Sequence, residues 1–120
     1  MNEYKVELDP AGVVMARSEV PLMTRRVAGP FCHDIQERAI EADARGLVMD
    51  LDSLTRATPR AAFYAMRSMK RMAVHRIAFT GGNRFMLVLA RLILTLGGFP
   101  EFRFFKDRPA AVDWAGGAAS

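Results

Sequence analysis

The stretch Thr80-Gly81-Gly82-Asn83-Arg84 sets two glycines, a side-chain amide and a guanidinium where an apolar run gives way to a helical pattern. Backbone amides freed by two glycines at a helix N-terminus can hold an anion, helped by the helix dipole and by Arg84. The spacing is neither that of a Walker loop nor that of a dinucleotide loop, because no Gly-Lys-Ser/Thr follows and the glycines fall at other intervals. A tight turn with an asparagine cap is the ordinary use of such residues. If a small anionic ligand binds this chain, it binds here.

The other reactive side chains do not assemble. His33 and His75 are the two histidines, Glu37 is the one co-ligand at helical spacing from His33, and Cys32 is the sole cysteine. A metal site is therefore not expected, and an internal disulfide is impossible. Ser53 or Ser68 with His75 would need a nucleophile elbow, and no Gly-x-Ser-x-Gly occurs. Cys32 follows Phe31 on an apolar helical face and reads as a buried, inert thiol. No catalytic residue, metal ligand or cofactor is assigned.

Charge separates the two halves. Residues 1–52 hold 6 basic and 10 acidic groups, whereas residues 53–120 hold 11 and 3, for a net charge of +4. Any preference for anions belongs to the second half. Arg60, Arg67 and Arg71 share one helical face with Lys70 beside them, yet no aromatic ladder or nucleic-acid module is interleaved, so a solvated face is expected and no nucleic-acid partner. Phe85 to Leu96 is the longest apolar-rich stretch, 12 residues interrupted by Arg91, against the roughly 20 needed to cross a bilayer. With no signal-peptide pattern at the N-terminus, a cytoplasmic protein without a membrane span is expected.

The elements that must position these residues follow from periodicity. Tyr4, Val6 and Leu8 alternate with charged residues, and Asp9-Pro10-Ala11-Gly12 turns the chain into Val13 to Arg17, a hairpin. Pro21 to Pro30 reads as irregular or broken helix. Phe31, Ile35, Ala39 and Ala42 then recur at helical spacing, with Asp34/Arg38 and Glu41/Arg45 as i,i+4 pairs, until Gly46. Leu47 to Leu51 is a strand buried on both faces. Thr58 caps a helix with Pro59 in its first turn and a buried stripe of Ala62, Phe63, Met66, Met69 and Ala73. Val74 to Thr80 is a second central strand, Arg84 to Leu96 a helix closed by Gly97-Gly98, and Phe102 with Phe104 a last strand before a short helix from Asp107. The order β-β-α-β-α-β-α-β-α predicts one layered α/β domain over residues 1–120, a mixed, mainly parallel sheet with an antiparallel hairpin at its N-terminal edge.

Apolar residues cover nearly the whole circumference of the helix Arg84 to Leu96, leaving Arg84, Arg91 and Thr95 as its polar side. A helix on a sheet buries one stripe, so the rest should meet something else. A homodimer contact through Phe85, Leu89, Leu92, Ile93 and Leu96 removes that area most simply. A neighbouring element of the same chain, or an amphiphile, are the other occupants.

Several residues carry a resemblance. The strand Leu47 to Leu51 running into a capped helix, the strand end Ile77-Ala78-Phe79, the helix Phe85 to Leu96 and the ending Phe104-Phe105-Lys106-Asp107-Arg108-Pro109-Ala110-Ala111-Val112-Asp113-Trp114 resemble the STAS domain, shared by anti-sigma-factor antagonists and sulfate-transporter tails. The nearer likeness is to small stand-alone bacterial STAS-like proteins, often grouped with CRAL-TRIO lipid-binding domains. It covers most of the chain in organisation and the C-terminal third in motif. It implies a STAS-like α/β fold, a non-enzymatic regulatory or scaffolding role with a protein partner, and, through the CRAL-TRIO kinship, a carrier or sensor of a lipid or other apolar ligand as the alternative. The Asp-Ser-Ser-Gly motif whose serine is phosphorylated in anti-sigma-factor antagonists is missing. The helix here opens with Thr58-Pro59-Arg60-Ala61, and Ser53, Thr55 and Thr58 match no acceptor position.

Asp50-Leu51-Asp52 at the end of an apolar strand also looks like the nucleophile motif of haloacid-dehalogenase-type phosphatases, where paired carboxylates and magnesium act on phosphorus. That chemistry needs a downstream lysine and further carboxylates, and the later candidates Glu101, Asp107, Asp113, Lys70 and Lys106 do not gather. Strand-end carboxylates that bind loop amides or Arg56 are the preferred reading.

Overall fold

A computed structural model describes residues 3–99 and 101–117. Its centre is a five-stranded sheet in the order β1-β2-β4-β6-β7, formed by β1 (Tyr4–Asp9), β2 (Val13–Ser18), β4 (Gly46–Asp50), β6 (Arg76–Thr80) and β7 (Phe102–Phe105). β1 runs antiparallel to β2 and every other pairing is parallel, as the alternation of strands and helices requires. Helices α1 (Arg25–Ala42), α2 (Pro59–Met69) and α3 (Arg84–Leu96) and the short α4 (Arg108–Ala115) connect and cover it. This is the mixed α/β architecture read from the sequence.

Side-chain alternation assigns the two faces. Leu47 of β4 and Ile77 and Phe79 of β6 enter a core with Phe31, Ile35, Met86, Ala90 and Leu94, so α1 and α3 lie on that side. Val13, Met15, Val48 and Ala78 point the other way, into a smaller core with Ala111, Trp114 and Ala115 of α4. α4 comes so near that a Cβ on Gly46 would stand 2.2 Å from the Ala115 carbonyl oxygen, so glycine is required there. The guanidiniums of Arg76 and Arg103 stand 5.1 and 5.5 Å from the centre of the Trp114 ring.

The structure departs from expectation in four places. α1 begins at Arg25 and runs through Pro30, where a broken segment was expected. Val27 and Ala28 extend the buried stripe of Phe31, Ile35 and Ala39 one turn back, and Pro30 lies on the exposed side, where the carbonyl left without a donor can be hydrated. A separate two-stranded parallel pair, β3 (Leu22–Met23) with β5 (Arg56–Ala57), ties the chain before α1 to the loop before α2. The pairs Asp34/Arg38 and Glu41/Arg45 do not form; Asp34 accepts instead from the Tyr4 hydroxyl, and Glu37 pairs with His33 at 3.3 Å.

The fourth departure concerns α2. Thr58 caps it as expected, its hydroxyl accepting from the Ala61 amide at 3.1 Å, with Pro59 at the first helical position. Its inward side carries the expected Ala62 and Met69 together with Ala61 and Ala65. Phe63, expected in the buried stripe, is 62% exposed, and Ala73 is exposed beyond the helix end.

Candidate functional site

The glycine loop and the strand-end carboxylates meet. β4 and β6 are neighbours in register, Asp50 beside Thr80, so the loops leaving their C-terminal ends lie side by side. Gly81 and Gly82 have φ of 68° and 91°, a region L-residues avoid. Asp52 Oδ1 accepts from the Gly82 amide at 3.3 Å, and a Cβ on Gly81 would sit 1.8 Å from that oxygen. Asp50 Oδ1 accepts from the Asp52 amide at 2.9 Å. Both carboxylates therefore serve loop amides.

Asn83 completes the turn. Its Oδ1 accepts from the Met86 amide at 2.8 Å, capping α3, and its Nδ2 donates to the Thr55 carbonyl at 3.2 Å. Thr80 is buried and Arg84 exposed. The Gly82 amide that an anion would use is already engaged by Asp52, and an incoming anion would face that carboxylate. Among the described residues no group of three His, Cys, Asp or Glu side chains could hold a metal ion.

The remaining reactive groups are dispersed. His33 and His75 are exposed. Cys32 sits in the α1–α2 contact, where burial pushes its thiol pKa up while a hydrogen bond with Ser68 and the charge of Arg25 act against that shift. Ser53 lies exposed in the loop after β4, and the Thr55 hydroxyl donates to the Pro21 carbonyl at 3.0 Å.

α3 carries the feature with no internal explanation. Met86, Ala90 and Leu94 point into the core, and Leu89 and Ile93 pack half-buried against it. Of the five residues expected at an interface, those two belong instead largely to the protein's own interior. The other three stay in water: Phe85 is 57% exposed, Leu92 51% and Leu96 61%, joined by Val88 at 64%. Their spacing, i, i+3, i+7 and i+11, makes one continuous apolar ridge along the helix. Phe63 of α2 is a fifth large apolar side chain exposed on the adjacent helix. Val88 was legible in the helix pattern; Phe63 was not, because spacing alone does not say which stripe of α2 faces in.

Beneath the ridge is an apolar cavity of about 120 Å³. Ala28 and Phe31 of α1, Ala61, Ala62 and Ala65 of α2, Leu89, Ala90 and Ile93 of α3, and Leu47, Ile77 and Phe79 of the sheet line it, with Cys32 at its α1 wall. It exists because α2 turns alanines toward a floor of larger residues. A space with such a lining offers water no polar partners.

No family model matches the chain, and no curated protein matches it. Solved structures do. Over 96% of its length the chain is similar to 95% of an uncharacterized protein of the DUF3478 family with a SpoIIAA-like fold from Shewanella loihica, with a TM-score of 0.70 and 15% identity. Over 92% it is similar to 96% of the anti-sigma factor antagonist SpoIIAA in its unphosphorylated form, with a TM-score of 0.63 and 11% identity. The chain thus has the SpoIIAA-like, STAS-type fold.

Proposed function

We propose that this chain is a non-enzymatic interaction module of STAS type, working through the apolar ridge of α3. The observation that carries the reading is that Phe85, Val88, Leu92 and Leu96 form an unbroken exposed stripe on a helix whose opposite side is already turned into the core through Met86, Ala90 and Leu94. Burying such side chains is worth on the order of 25 cal/mol per Å² of apolar area, so a partner gains from covering the ridge while the fold does not depend on it. The commitment of Asp50 and Asp52 to loop amides favours a structural role for both over phosphoryl chemistry. The SpoIIAA-like fold, found in an anti-sigma factor antagonist, supports a regulatory protein-binding role.

Leu92→Glu/Leu96→Glu tests the ridge. Both side chains are exposed, so the variant should melt with the native protein while losing every association the native protein shows, self-association by light scattering included. A native homodimer that becomes monomeric would place a second copy on the ridge. A variant that keeps all native associations overturns the module reading, as does magnesium-dependent phosphomonoester hydrolysis lost in Asp50→Asn.

A second reading, a site for a small apolar ligand, is favoured by the apolar cavity beneath α3. Its volume is near that of engineered cavities of about 150 Å³ that take up benzene. One aromatic ring or a short alkyl segment is the size it would accept.

A further inference from the structure

Resting on the reading of the α3 ridge as a docking surface, we propose that its partner is an anionic lipid bilayer, met by the α2–α3 face with apolar side chains below the headgroups and guanidiniums against the phosphates. The first argument is charge. Residues 53–99 contain eight Lys and Arg side chains and no carboxylate. Arg76 pairs with Glu101 across the sheet edge. The other seven, Arg56, Arg60, Arg67, Lys70, Arg71, Arg84 and Arg91, are all exposed, and none has an ion-pair partner among the described residues.

The second argument is placement. Arg84 and Arg91, seven residues apart, share one side of α3, and Arg91 lies 5.2 Å over the Phe104 ring, which identifies that side with β7. Leu89 and Ile93, on the other side, line the cavity together with Ala62 and Ala65 of α2. The ridge runs between these two sides. On α2, Arg60 and Arg67 are likewise seven apart, between exposed Phe63 and the α1 side marked by Tyr64, whose ring lies 3.9 Å beneath Arg25. Across the face the order is cations, apolar ridge, phenylalanine, cations.

That order selects the occupant. A second copy pairing ridge to ridge would bring these cations against their own images, and neither α2 nor α3 carries a carboxylate to answer them. A nucleic acid would neutralise the cations and leave the ridge in water. An anionic bilayer satisfies both at different depths, since apolar side chains enter about 5–10 Å below a charged headgroup layer, and two exposed phenylalanines suit that boundary.

The test is pelleting of the full chain with vesicles of phosphatidylcholine alone and of phosphatidylcholine containing about one-third phosphatidylglycerol. Binding to the anionic vesicles, its loss on raising salt, and little binding to the neutral ones are expected. Each cation near such a surface contributes about fivefold, so Arg67→Gln/Arg84→Gln should bind about 25-fold more weakly. Val88→Ser/Leu92→Ser should weaken binding at any salt, with an unchanged melting temperature reporting an intact fold. Absence of binding to anionic vesicles at low salt, or equal binding to both kinds, overturns the proposal. A native dimer dissolved by Leu92→Glu/Leu96→Glu without vesicle binding overturns the lipid partner and leaves the docking ridge standing. No association of any kind removes both.

Discussion

Replacing Ala90 by leucine tests whether the interior under α3 is underfilled. Ala90 is 6% exposed and borders the cavity of about 120 Å³. At about 24 cal/mol per Å³, an empty space of that size forgoes about 3 kcal/mol. Leucine adds three carbons, worth about 2.4 kcal/mol when buried at about 0.8 each. Against this stand about 0.5–1 kcal/mol of rotamer entropy and some misfit, since an irregular space is not leucine-shaped. The net is a stabilisation of about 1 kcal/mol, which for a chain of this length raises the melting temperature by about 4 °C. Urea unfolding of both proteins measures it, with the slope unchanged and the midpoint moved upward. A benzene-sized ligand should raise the stability of the native protein through linkage and leave that of Ala90→Leu unmoved. Destabilisation by 1 kcal/mol or more, at about the cost of overpacking, would refute the reasoning, because it would mean that the space cannot be filled.

Two further outcomes follow from the loops and the edge strand. Gly81→Ala forces a Cβ to 1.8 Å from Asp52 Oδ1 at a φ of 68°, so the left-handed penalty and the displaced carboxylate bond together should cost about 2–3 kcal/mol; in an Asp52→Ala background the cost should fall, and strict additivity of the two changes would contradict the contact. Tyr4 donates its hydroxyl to Asp34, which, with burial, pushes its pKa from 10.0 up to about 12. The neutral phenol is the form the fold favours, so this contribution is complete below pH 10 and is lost as pH rises through 12. Phenolate absorbance should show one late-titrating tyrosine that Tyr4→Phe removes, and an unchanged late step in the variant would exclude the assignment.

What the sequence made legible is what period and punctuation encode. The hairpin, the capped α2 and α3 with bounds at Arg84 and Leu96 follow from alternation, Thr58-Pro59 and Asn83, because each is set by its own neighbours. The start of α1 was hidden by Pro30, because proline inside a helix removes a hydrogen bond and crowds the preceding turn, and spacing does not show that burial of Val27 and Ala28 outweighs this. β3 and β5 were invisible, since two residues per strand leave no period to read. Leu89 and Ile93 could not be told from Leu92 and Leu96 by composition, because all are aliphatic and the division between them depends on where α2 rests. The pairing of Asp52 with Gly82 is a contact between loops 30 residues apart, set by the parallel register of β4 with β6.

The ridge and the cavity have one origin. On α2 the small side chains Ala61, Ala62 and Ala65 face the sheet, and Phe63 faces water. Selection for stability alone would favour the reverse, since burying one phenylalanine is worth about 1.5–3 kcal/mol and would fill the space that the alanines leave. α3 repeats the pattern in part, with Ala90 inward between Met86 and Leu94, and Phe85, Val88, Leu92 and Leu96 outward. Two adjacent helices that keep alanines at the cavity and leave large apolar residues in water give up stability at the same face twice. A surface used for contact accounts for the outer residues, and a space able to admit a small apolar molecule accounts for the inner ones. Ala90→Leu and Leu92→Glu/Leu96→Glu therefore separate the two roles, because the first alters only the interior and the second only the ridge.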